Sequence, residues 1–459
     1  MELKMQERKP WSAKIKSGLI HRLGIASVID FARKKSVPVH KHSLWYYLGG
    51  IILTLFVIQV VTGFLLLFYY KPTPEEAHES IVRIMREVPY GWLIRSIHSW
   101  SASLMIGILF LHLFSSMIMK AYRQPREITW ISGMLLLILS LALGFSGYLL
   151  PWTELSFFAT KVGTGLAKKV PIVGNYIFYL LRGTENISGD TLMRFFGLHV
   201  CILPLGLGII LAVHIWLIQA HGMSVPISIE QQKKKLALEP FTEPVLEHSE
   251  GFEGKLREGM PFFPSFFYRD IVSAIVVLGI VVTLSVFLPK EIGNKADPLA
   301  PAPEGIRPEW FFVFLFQTLK YLPSKILFID GELFGLFIIG LGVVFLFLVP
   351  FLDRKSHRGE REKLFTAVAI FLLVYIFVFT ILGYIPTGAE NILAIQNPEN
   401  TVTVEEANVN ESHPTLAQNR ILGLIGFWSI LLFIIVFLML KIRHYDQLAE
   451  QGYYNLLRC

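Results

Sequence analysis

Cysteine and charged residues are both scarce in this chain. Its 459 residues include two cysteines, Cys201 and Cys459, and only 17% are Asp, Glu, Lys or Arg. Two cysteines this far apart exclude a disulfide framework, a self-contained iron–sulfur cluster and a CxxCH haem attachment. A soluble protein usually has about a quarter charged residues, so the composition argues against that class. Any redox centre held by this chain must therefore use histidine ligands.

Apolar residues, by contrast, make up 53% of the chain and are concentrated in long runs. Runs of about twenty apolar residues are long enough to cross a bilayer as helices. We therefore predict an all-α integral membrane protein with eight transmembrane helices, at roughly 44–70, 93–118, 128–150, 196–219, 270–288, 332–352, 364–385 and 420–441.

The basic residues predict the orientation of these spans. Most of the 42 Lys and Arg lie before the first span, after the second, fourth and sixth spans, and in the C-terminal tail. Because cytoplasmic loops are enriched in Lys and Arg, we expect both termini on the cytoplasmic (n) side. The net charge of +7 then reflects loops near lipid, and no nucleic-acid partner is expected.

The order of these runs divides the chain into five regions. The first has no uninterrupted apolar core, which excludes a signal peptide, and 15–31 is interpreted as an amphipathic helix on the membrane surface. The regions are a cytoplasmic N-terminal segment (1–43), a four-span bundle (44–221), an n-side linker (222–269), a three-span domain (270–385), and a last linker with the extra helix and tail (386–459).

Four histidines stand out within two of the spans. His98 and His112 are fourteen residues apart in the second span, which corresponds to roughly 21 Å along a helix. His199 and His214 are fifteen residues apart in the fourth span. Both spans run from the opposite (p) side to the n side, so His98 and His199 fall at the p level, and His112 and His214 at the n level. The spacing predicts two stacked metal centres.

Glycines on the first and third spans repeat the same period. Gly49 and Gly63 are fourteen residues apart, and so are Gly133 and Gly147. A glycine leaves room where a flat macrocycle approaches a helix backbone. Each level thus has two imidazoles and two glycines that leave space for a ring. This favours a bis-histidine haem over a zinc site, because neither level offers the carboxylate or thiolate ligands that zinc usually has. The alternative is that packing histidines and glycines merely let helices approach closely.

Several motifs carry a family resemblance, over about residues 40–385. They are Tyr46-Tyr-Leu-Gly-Gly, Gly91-Trp-Leu-Ile-Arg-Ser-Ile-His, Ser146-Gly-Tyr-Leu-Leu-Pro-Trp and Leu198-His-Val. They resemble cytochrome b of cytochrome bc complexes, with a first half similar to cytochrome b6 and a second half similar to subunit IV, fused in one chain. The resemblance implies a di-haem four-helix bundle of the first four spans. It also implies p-side quinol oxidation, with electrons passing through two b haems to an n-side quinone and protons translocated, as in the Q cycle.

The motif Pro308-Glu-Trp-Phe resembles the PEWY motif of the family's quinol oxidation site. A carboxylate in an aromatic, proline-stiffened pocket has a raised pKa and accepts a proton from quinol, so Glu309 is the candidate base. Pro308, Trp310 and Phe311 are candidate quinone contacts, and Phe311 replaces the family's tyrosine. Tyr148 is expected in the opposite wall.

On the n side, the resemblance points to further residues. Asp270 resembles the carboxylate of the quinone reduction site, although a charge at a span terminus is also a common helix-end residue. Gln219 stands where the family often has His or Arg, and His221 is a candidate for proton delivery. Tyr47 replaces the cysteine that attaches an extra haem in b6-type chains, so no covalent haem is predicted on this chain. A non-covalent haem there and quinone alone are both left open.

The resemblance further implies that the chain is an enzyme subunit, active only within a complex. The expected partners are a Rieske-type iron–sulfur protein, a c-type cytochrome or equivalent acceptor, membrane lipid and a second copy of the complex, in a prokaryotic inner membrane. Two other functions fit the histidines: a di-haem membrane anchor of a dehydrogenase or hydrogenase, and a haem-free transporter.

Overall fold

The computed structural model describes residues 34–231, 259–303, 306–360, 362–385 and 429–441, with Arg22 and Ala32. Several predicted segments therefore lie outside the described residues. They are the surface helix at 15–31 apart from Arg22, most of the linker at 222–269, the p-side lead-in from 386, and the tail after 441.

Helices dominate the described residues. In chain order they are α1 (Tyr47–Leu67), α2 (Ala77–Arg86), α3 (Gly91–Ile118), α4 (Glu127–Leu149), α5 (Glu154–Lys168), α6 (Gly174–Arg182), α7 (Gly189–Gly197), α8 (Leu203–His221), α9 (Phe267–Phe287), α10 (Trp310–Tyr321), α11 (Gly331–Leu352), α12 (Arg354–His357), α13 (Leu364–Tyr384) and α14 (Ser429–Lys441). A π-helical turn at Leu198–Ile202 joins α7 to α8.

Strands are short and form two antiparallel pairs among the described residues. The pairs are β1 (Ser36–Val37) with β2 (Met260–Pro261), where Ser36 lies opposite Pro261, and β3 (Lys325–Ile326) with β4 (Ile329–Asp330), where Lys325 lies opposite Asp330.

Seven helical stretches of the described residues are long and apolar enough to cross a membrane. They are Ser43–Leu67, Gly91–Ile118, Glu127–Leu149, Gly189–His221, Phe262–Phe287, Gly331–His357 and Leu364–Tyr384, and they coincide with the first seven predicted spans. Of the eighth, only Ser429–Lys441 is described, an apolar helix shorter than the roughly 20 residues that a span needs. The eighth span and the four-helix bundle stay predictions.

The chain divides into two compact units. The described part of the first unit comprises 34–47, 259–276 and 429–441. Its β1–β2 pair is accompanied by a parallel ring stack in which Tyr47 and Phe266 lie 4.8 Å apart between centroids, at an angle of 10°. His40 forms a 2.6 Å hydrogen bond with the hydroxyl of Tyr46.

The second unit, described over 48–231, 277–303, 306–360 and 362–385, contains three buried apolar clusters. One joins α1, α3, α4 and α9 through Leu55, Met105, Leu137 and Val281. Another lies around Trp130, Val349 and Phe365, and the third around Trp152, Phe157 and Leu192. These clusters hold the helices that carry the candidate site residues.

Two of the three short helices between α4 and α8 begin with strong local signals. Thr153 and Ser156 form a reciprocal capping box at the start of α5, and Ser188 and Thr191 form another at α7. A cap satisfies backbone N–H groups that the first helical turn leaves unpaired, and it contributes about 1 kcal/mol. The buried ring of Phe157 then anchors α5 in its cluster.

Candidate functional site

The structure brings His98 and His199 together. His98 lies on α3 and His199 lies in the π-helical turn before α8. Their ring centroids are 6.3 Å apart, and the ring planes meet at 74°. This separation leaves room for one metal atom bound to both rings, since metal–imidazole bonds are about 2 Å long.

The π-helical turn explains the unequal histidine spacing. The backbone N–H of Leu203 donates to the carbonyl of Leu198, five residues earlier, so the turn contains one more residue than an α-helical turn. Pro204 follows directly and has no N–H to donate, which favours an irregular turn here. The fifteen-residue step from His199 to His214 therefore matches the fourteen-residue step of α3.

The second predicted pair, His112 on α3 and His214 on α8, lies close enough for the two side chains to interact electrostatically. Helix α3 thus presents one imidazole at each of two levels, and the π-helical turn together with α8 presents the other two. Among the described residues, no three His, Cys, Asp or Glu side chains group as a metal site would require. Paired imidazoles are therefore the donor set that the described residues offer, and a bis-histidine haem fits that set.

Three of the four predicted glycines lie against a predicted ligand. A Cβ built on each would approach the Cε1 atom of the facing imidazole, at 3.2 Å from Gly63 to His98, 3.3 Å from Gly133 to His214, and 2.5 Å from Gly147 to His199. These distances are tighter than ordinary van der Waals contact, so a side chain would displace the ring. Gly49 differs, because nothing lies within 4 Å of a Cβ built there.

Three hydroxyl residues outside the predicted set also contact the histidines. The distances to the Nδ1 atoms are 2.9 Å from Thr62 to His98, 2.8 Å from Ser132 to His214, and 3.2 Å from Ser146 to His199. Each of these residues directly precedes one of the contacting glycines. A Ser or Thr immediately before a membrane glycine is the signal that would have identified them in the sequence.

A cavity of about 370 Å³ lies between α4, α5, α10 and α11. Tyr148, Pro308 and Glu309 line it, all three of them predicted quinol-site residues. Most of its other lining is apolar, including Phe145 and Phe312. A mostly apolar cavity of this size with a few convergent polar groups is typical of small-molecule sites.

The structure places the other two residues of the motif away from this cavity. The ring of Trp310 packs on Gly107, where a built Cβ would lie 3.5 Å from it. The ring of Phe311 packs on Gly144 and is 4% exposed. Phe312, one residue further on, provides the aromatic lining instead. The sequence does not indicate either contact, because each glycine and the aromatic ring that packs on it lie far apart in the chain.

The surroundings of Glu309 control its proton affinity. Burial raises the pKa of Glu309, and the charge of Lys290 opposes that shift. The Lys290 ammonium lies 4.4 Å from the centroid of the Trp100 ring. Arg95 donates to the carbonyl oxygen of Lys290 over 2.5 Å, which holds this segment in place. A buried carboxylate with a raised pKa is suited to accept a proton from a neutral substrate.

In the first unit, Asp270 lies near the start of α9. Its Oδ1 atom is buried and has no hydrogen-bond partner among the described residues. The neighbouring Arg269 donates to the carbonyl of Ser265 over 3.1 Å. Tyr47, at the position of the b6-type cysteine, is engaged in the stack on Phe266.

In the second unit, Gln219 and His221 form the C-terminal end of α8. Arg126 donates to the carbonyl oxygen of His221 over 3.0 Å and to that of Gly222 over 3.1 Å. The Nδ1 atom of His221 is buried and has no hydrogen-bond partner among the described residues. Arg126 therefore anchors the end of the helix that carries His214.

Comparisons with known proteins show which family the chain resembles over most of its length. The family model described as cytochrome b/b6/petB matches residues 33–222, and the model described as cytochrome b(C-terminal)/b6/petD matches residues 295–399. The chain is 43% identical, over 353 residues, to a cytochrome bc complex cytochrome b subunit of Chlorobaculum thiosulfatiphilum, covering 77% of this chain and 76% of that one. It is 42% identical, over 206 residues, to cytochrome b6 of Prochlorococcus marinus, covering 45% of this chain and 94% of that one.

A solved structure titled hyperthermophilic respiratory Complex III has the same fold. Its chain aligns with a TM-score of 0.67 and 24% identity, over 93% of this chain and 99% of that chain. The two family models and the relative that is 43% identical identify the family: the chain belongs to the cytochrome b/b6 family, with a b6-like N-terminal half fused to a subunit IV-like C-terminal half.

Proposed function

We propose that this chain is the di-haem subunit of a proton-translocating quinol oxidoreductase, which oxidises quinol at the p side and reduces quinone at the n side. Family membership establishes the coarser part of this function. The chain is an integral, multi-pass membrane protein of the electron-transporting, haem b-binding cytochrome b type. The number of haems, their ligands and the two quinone sites belong to the proposal.

The observation that carries the proposal is the pairing of imidazoles at two levels of the same two helices. His98 and His199 would hold one haem, and His112 and His214 the other. Gly63, Gly133 and Gly147 leave space beside three of these rings, and Gly49 is proposed for the same role beside the fourth. Haem b, when bound, supplies one-electron transfer across the membrane between the two quinone sites.

The cavity beside α10 is proposed to bind quinol. Its apolar walls, including Phe145 and Phe312, suit a quinol ring and exclude water. Glu309 lines the same cavity, and its raised pKa supports a role as the acceptor of a quinol hydroxyl proton. Tyr148 lines the same cavity and interacts electrostatically with Glu309, so it is proposed to orient the substrate.

The roles proposed at the n-side quinone site rest on single residues. The buried, unpartnered Oδ1 atom of Asp270 supports a role in quinone protonation. The buried Nδ1 atom of His221 supports proton delivery, and Gln219 precedes it on the same helix. Tyr47, which stacks on Phe266, stands where b6-type chains have the cysteine that attaches a haem. A tyrosine cannot form that thioether bond, so no covalent haem is proposed there.

The assembly is also part of the proposal. We expect a Rieske-type iron–sulfur protein to take the first electron and to pass it to a c-type cytochrome or equivalent subunit. We also expect the complex to be a homodimer in a prokaryotic inner membrane, with both termini of this chain on the cytoplasmic side. The relatives support this, since one is named as a subunit of a cytochrome bc complex.

A redox-titrated visible spectrum of the purified complex tests the proposal. Two b-type transitions assigned to this chain, together with quinol oxidation that requires the cavity beside α10, would support it. A haem-free transporter would show no b-type absorbance. A di-haem membrane anchor of a dehydrogenase would show haem absorbance, but substitutions in the cavity would leave its quinone reaction unchanged. Either of these outcomes would overturn the proposal.

A further inference from the structure

A hydroxyl residue and a glycine occur side by side at three places in the spans. These hydroxyl–glycine pairs are Thr62-Gly63 on α1, and Ser132-Gly133 and Ser146-Gly147 on α4. In each pair, the glycine lies against the Cε1 atom of one histidine and the hydroxyl oxygen lies within 3.2 Å of the Nδ1 atom of the same ring. Each pair therefore contacts two atoms of one imidazole.

The direction of these hydrogen bonds follows from the helix carbonyls. Each hydroxyl donates its proton to a carbonyl of its own helix: Thr62 to Ile58 over 2.6 Å, Ser132 to Thr129 over 2.8 Å, and Ser146 to Leu143 over 3.2 Å. A carbonyl only accepts and a hydroxyl has only one proton, so a hydroxyl that donates to its helix carbonyl accepts from the imidazole. The Nδ1 atom of the facing histidine then carries the proton.

With the proton on Nδ1, the Nε2 atom is unprotonated, and its lone pair is free to bind the metal. Metal-bound histidines usually donate their other ring N–H to an outer partner, which sets the tautomer and the ring orientation. His199 has a second acceptor of this kind, because its Nδ1 atom also lies 3.1 Å from the carbonyl oxygen of Leu143. The carbonyl and the Ser146 hydroxyl act on the same ring nitrogen.

The fourth histidine lacks the feature. Gly49 is preceded by Leu48, which has no hydroxyl, and nothing lies within 4 Å of a Cβ built on Gly49. The Nδ1 atom of His112 is buried without a hydrogen-bond partner among the described residues. His112, the one histidine without a hydroxyl–glycine pair, is thus also the one of the four whose Nδ1 atom has no hydrogen bond among the described residues.

We infer that Thr62, Ser132 and Ser146 are positioning residues that set the Nδ1–H tautomer of three haem-ligand histidines, and that His112 has no such residue in the described part of the chain. The inference rests on the proposed haem ligation. A hydrogen bond from Nδ1–H makes the imidazole a more basic ligand. A more basic ligand favours the oxidised metal, so loss of the hydroxyl raises the reduction potential of that haem.

The test replaces Thr62 in the full complex. Thr62→Val keeps the side-chain shape and removes the acceptor, whereas Thr62→Ser keeps it. Two quantities are measured, the midpoint potentials in a visible redox titration and the rate of haem loss to a haem-scavenging apoprotein. We expect Thr62→Val to raise one midpoint and to accelerate haem loss about tenfold, in line with the loss of an outer-shell partner, and Thr62→Ser to behave as wild type.

Ser140 supplies the matched control. It is a buried serine of α4 whose hydroxyl donates to the carbonyl oxygen of Leu136 over 2.8 Å, the hydrogen bond that a serine makes without an imidazole partner. Ser140→Ala should leave both midpoints unchanged, whereas Ser132→Ala should raise the midpoint that Thr62→Val leaves alone. If Thr62→Val fails to assemble, Ser132→Ala and Ser146→Ala provide the same measurement with a smaller change in volume.

The outcomes separate the inference from the proposed function. Two b-type transitions in the wild type, with midpoints and haem-loss rates that do not respond to removal of the hydroxyls, would overturn the inference alone. A wild-type complex in which this chain binds no haem would overturn the proposed function as well. A midpoint shift in Thr62→Ser equal to that in Thr62→Val would show that the hydroxyl is not the group responsible.

Discussion

Gly147 lies directly against the imidazole of His199. A Cβ built on Gly147 would lie 2.5 Å from the Cε1 atom and 3.0 Å from the Nδ1 atom of that ring. Gly147 lies within α4 and His199 within the π-helical turn, so neither backbone can retreat without loss of helical hydrogen bonds. The His199 ring can therefore keep this position only while residue 147 is a glycine.

Gly147→Ala should remove the p-level haem. The added methyl group overlaps the ring, and overpacking of this kind costs about 1–3 kcal/mol, so His199 must turn away from its partner. The haem-to-protein ratio and the redox titration should show one b-type transition lost and the other retained. Gly206→Ala on α8 is the control, because nothing lies within 4 Å of a Cβ built there. Two intact transitions in Gly147→Ala would contradict the prediction.

The π-helical turn can be tested by changing the length of the chain. Deletion of Cys201 removes the extra residue, so the turn closes as a regular α-helical turn and the step from His199 to His214 becomes fourteen residues, as between His98 and His112. We expect both b-type transitions to remain. Deletion of Gly208, within the regular part of α8, instead rotates His199 by about 100° relative to His214 and should remove the p-level transition. Loss of the p-level transition on deletion of Cys201 would contradict this account of the turn.

Glu309 should give quinol oxidation an acidic limb. Burial raises the pKa of Glu309, so its carboxylate is protonated, and unable to accept a proton, at a higher pH than an exposed glutamate. Activity should fall as the pH falls through this raised pKa. Glu309→Gln should slow quinol oxidation at least 100-fold, in line with the loss of a general base, while both haem transitions stay intact. Unchanged turnover in Glu309→Gln would refute the proton role.

Lys290 should set the position of that acidic limb. Its charge lowers the pKa of Glu309, in opposition to burial, so Lys290→Gln should raise this pKa further and move the limb to higher pH. Lys290→Arg should keep the wild-type profile. Lys295 lies in the same loop but forms an ion pair with Glu79 over 3.3 Å, so Lys295→Gln is the matched control. A shift to lower pH in Lys290→Gln would contradict the assigned sign.

Tyr122 and Asp353 form a buried contact that should support stability. The Tyr122 hydroxyl donates to the Oδ2 atom of Asp353 over 2.5 Å, and the Lys120 amine lies 3.6 Å from the same oxygen. Tyr122→Phe removes a hydrogen bond to a buried carboxylate, which should lower the free energy of unfolding by about 1–3 kcal/mol. Thermal unfolding of the complex in detergent measures this. Tyr176→Phe, at a side chain that is 79% exposed, should leave the midpoint unchanged, and an equal loss in both variants would contradict the assignment.

Much of the fold follows from local patterns in the chain. An apolar run of about twenty residues predicts a span wherever it occurs, and the first seven predicted spans coincide with long apolar helices. The pairing of His98 with His199, and of His112 with His214, also follows from spacing and direction along two spans. Helix geometry converts residue number into depth without knowledge of any neighbour.

The orientation of side chains depends on packing that no local pattern encodes. The choice of Phe312 over Phe311 as cavity lining arises because Phe311 fills the space over Gly144, which lies far earlier in the chain. In a regular helix, the fifteen-residue step from His199 to His214 would overshoot four turns, and the π-helical turn before Pro204 removes that mismatch. Depth is a property of one helix, whereas direction around the helix is set by the contacts among several, so the sequence determines the first and the assembled helices determine the second.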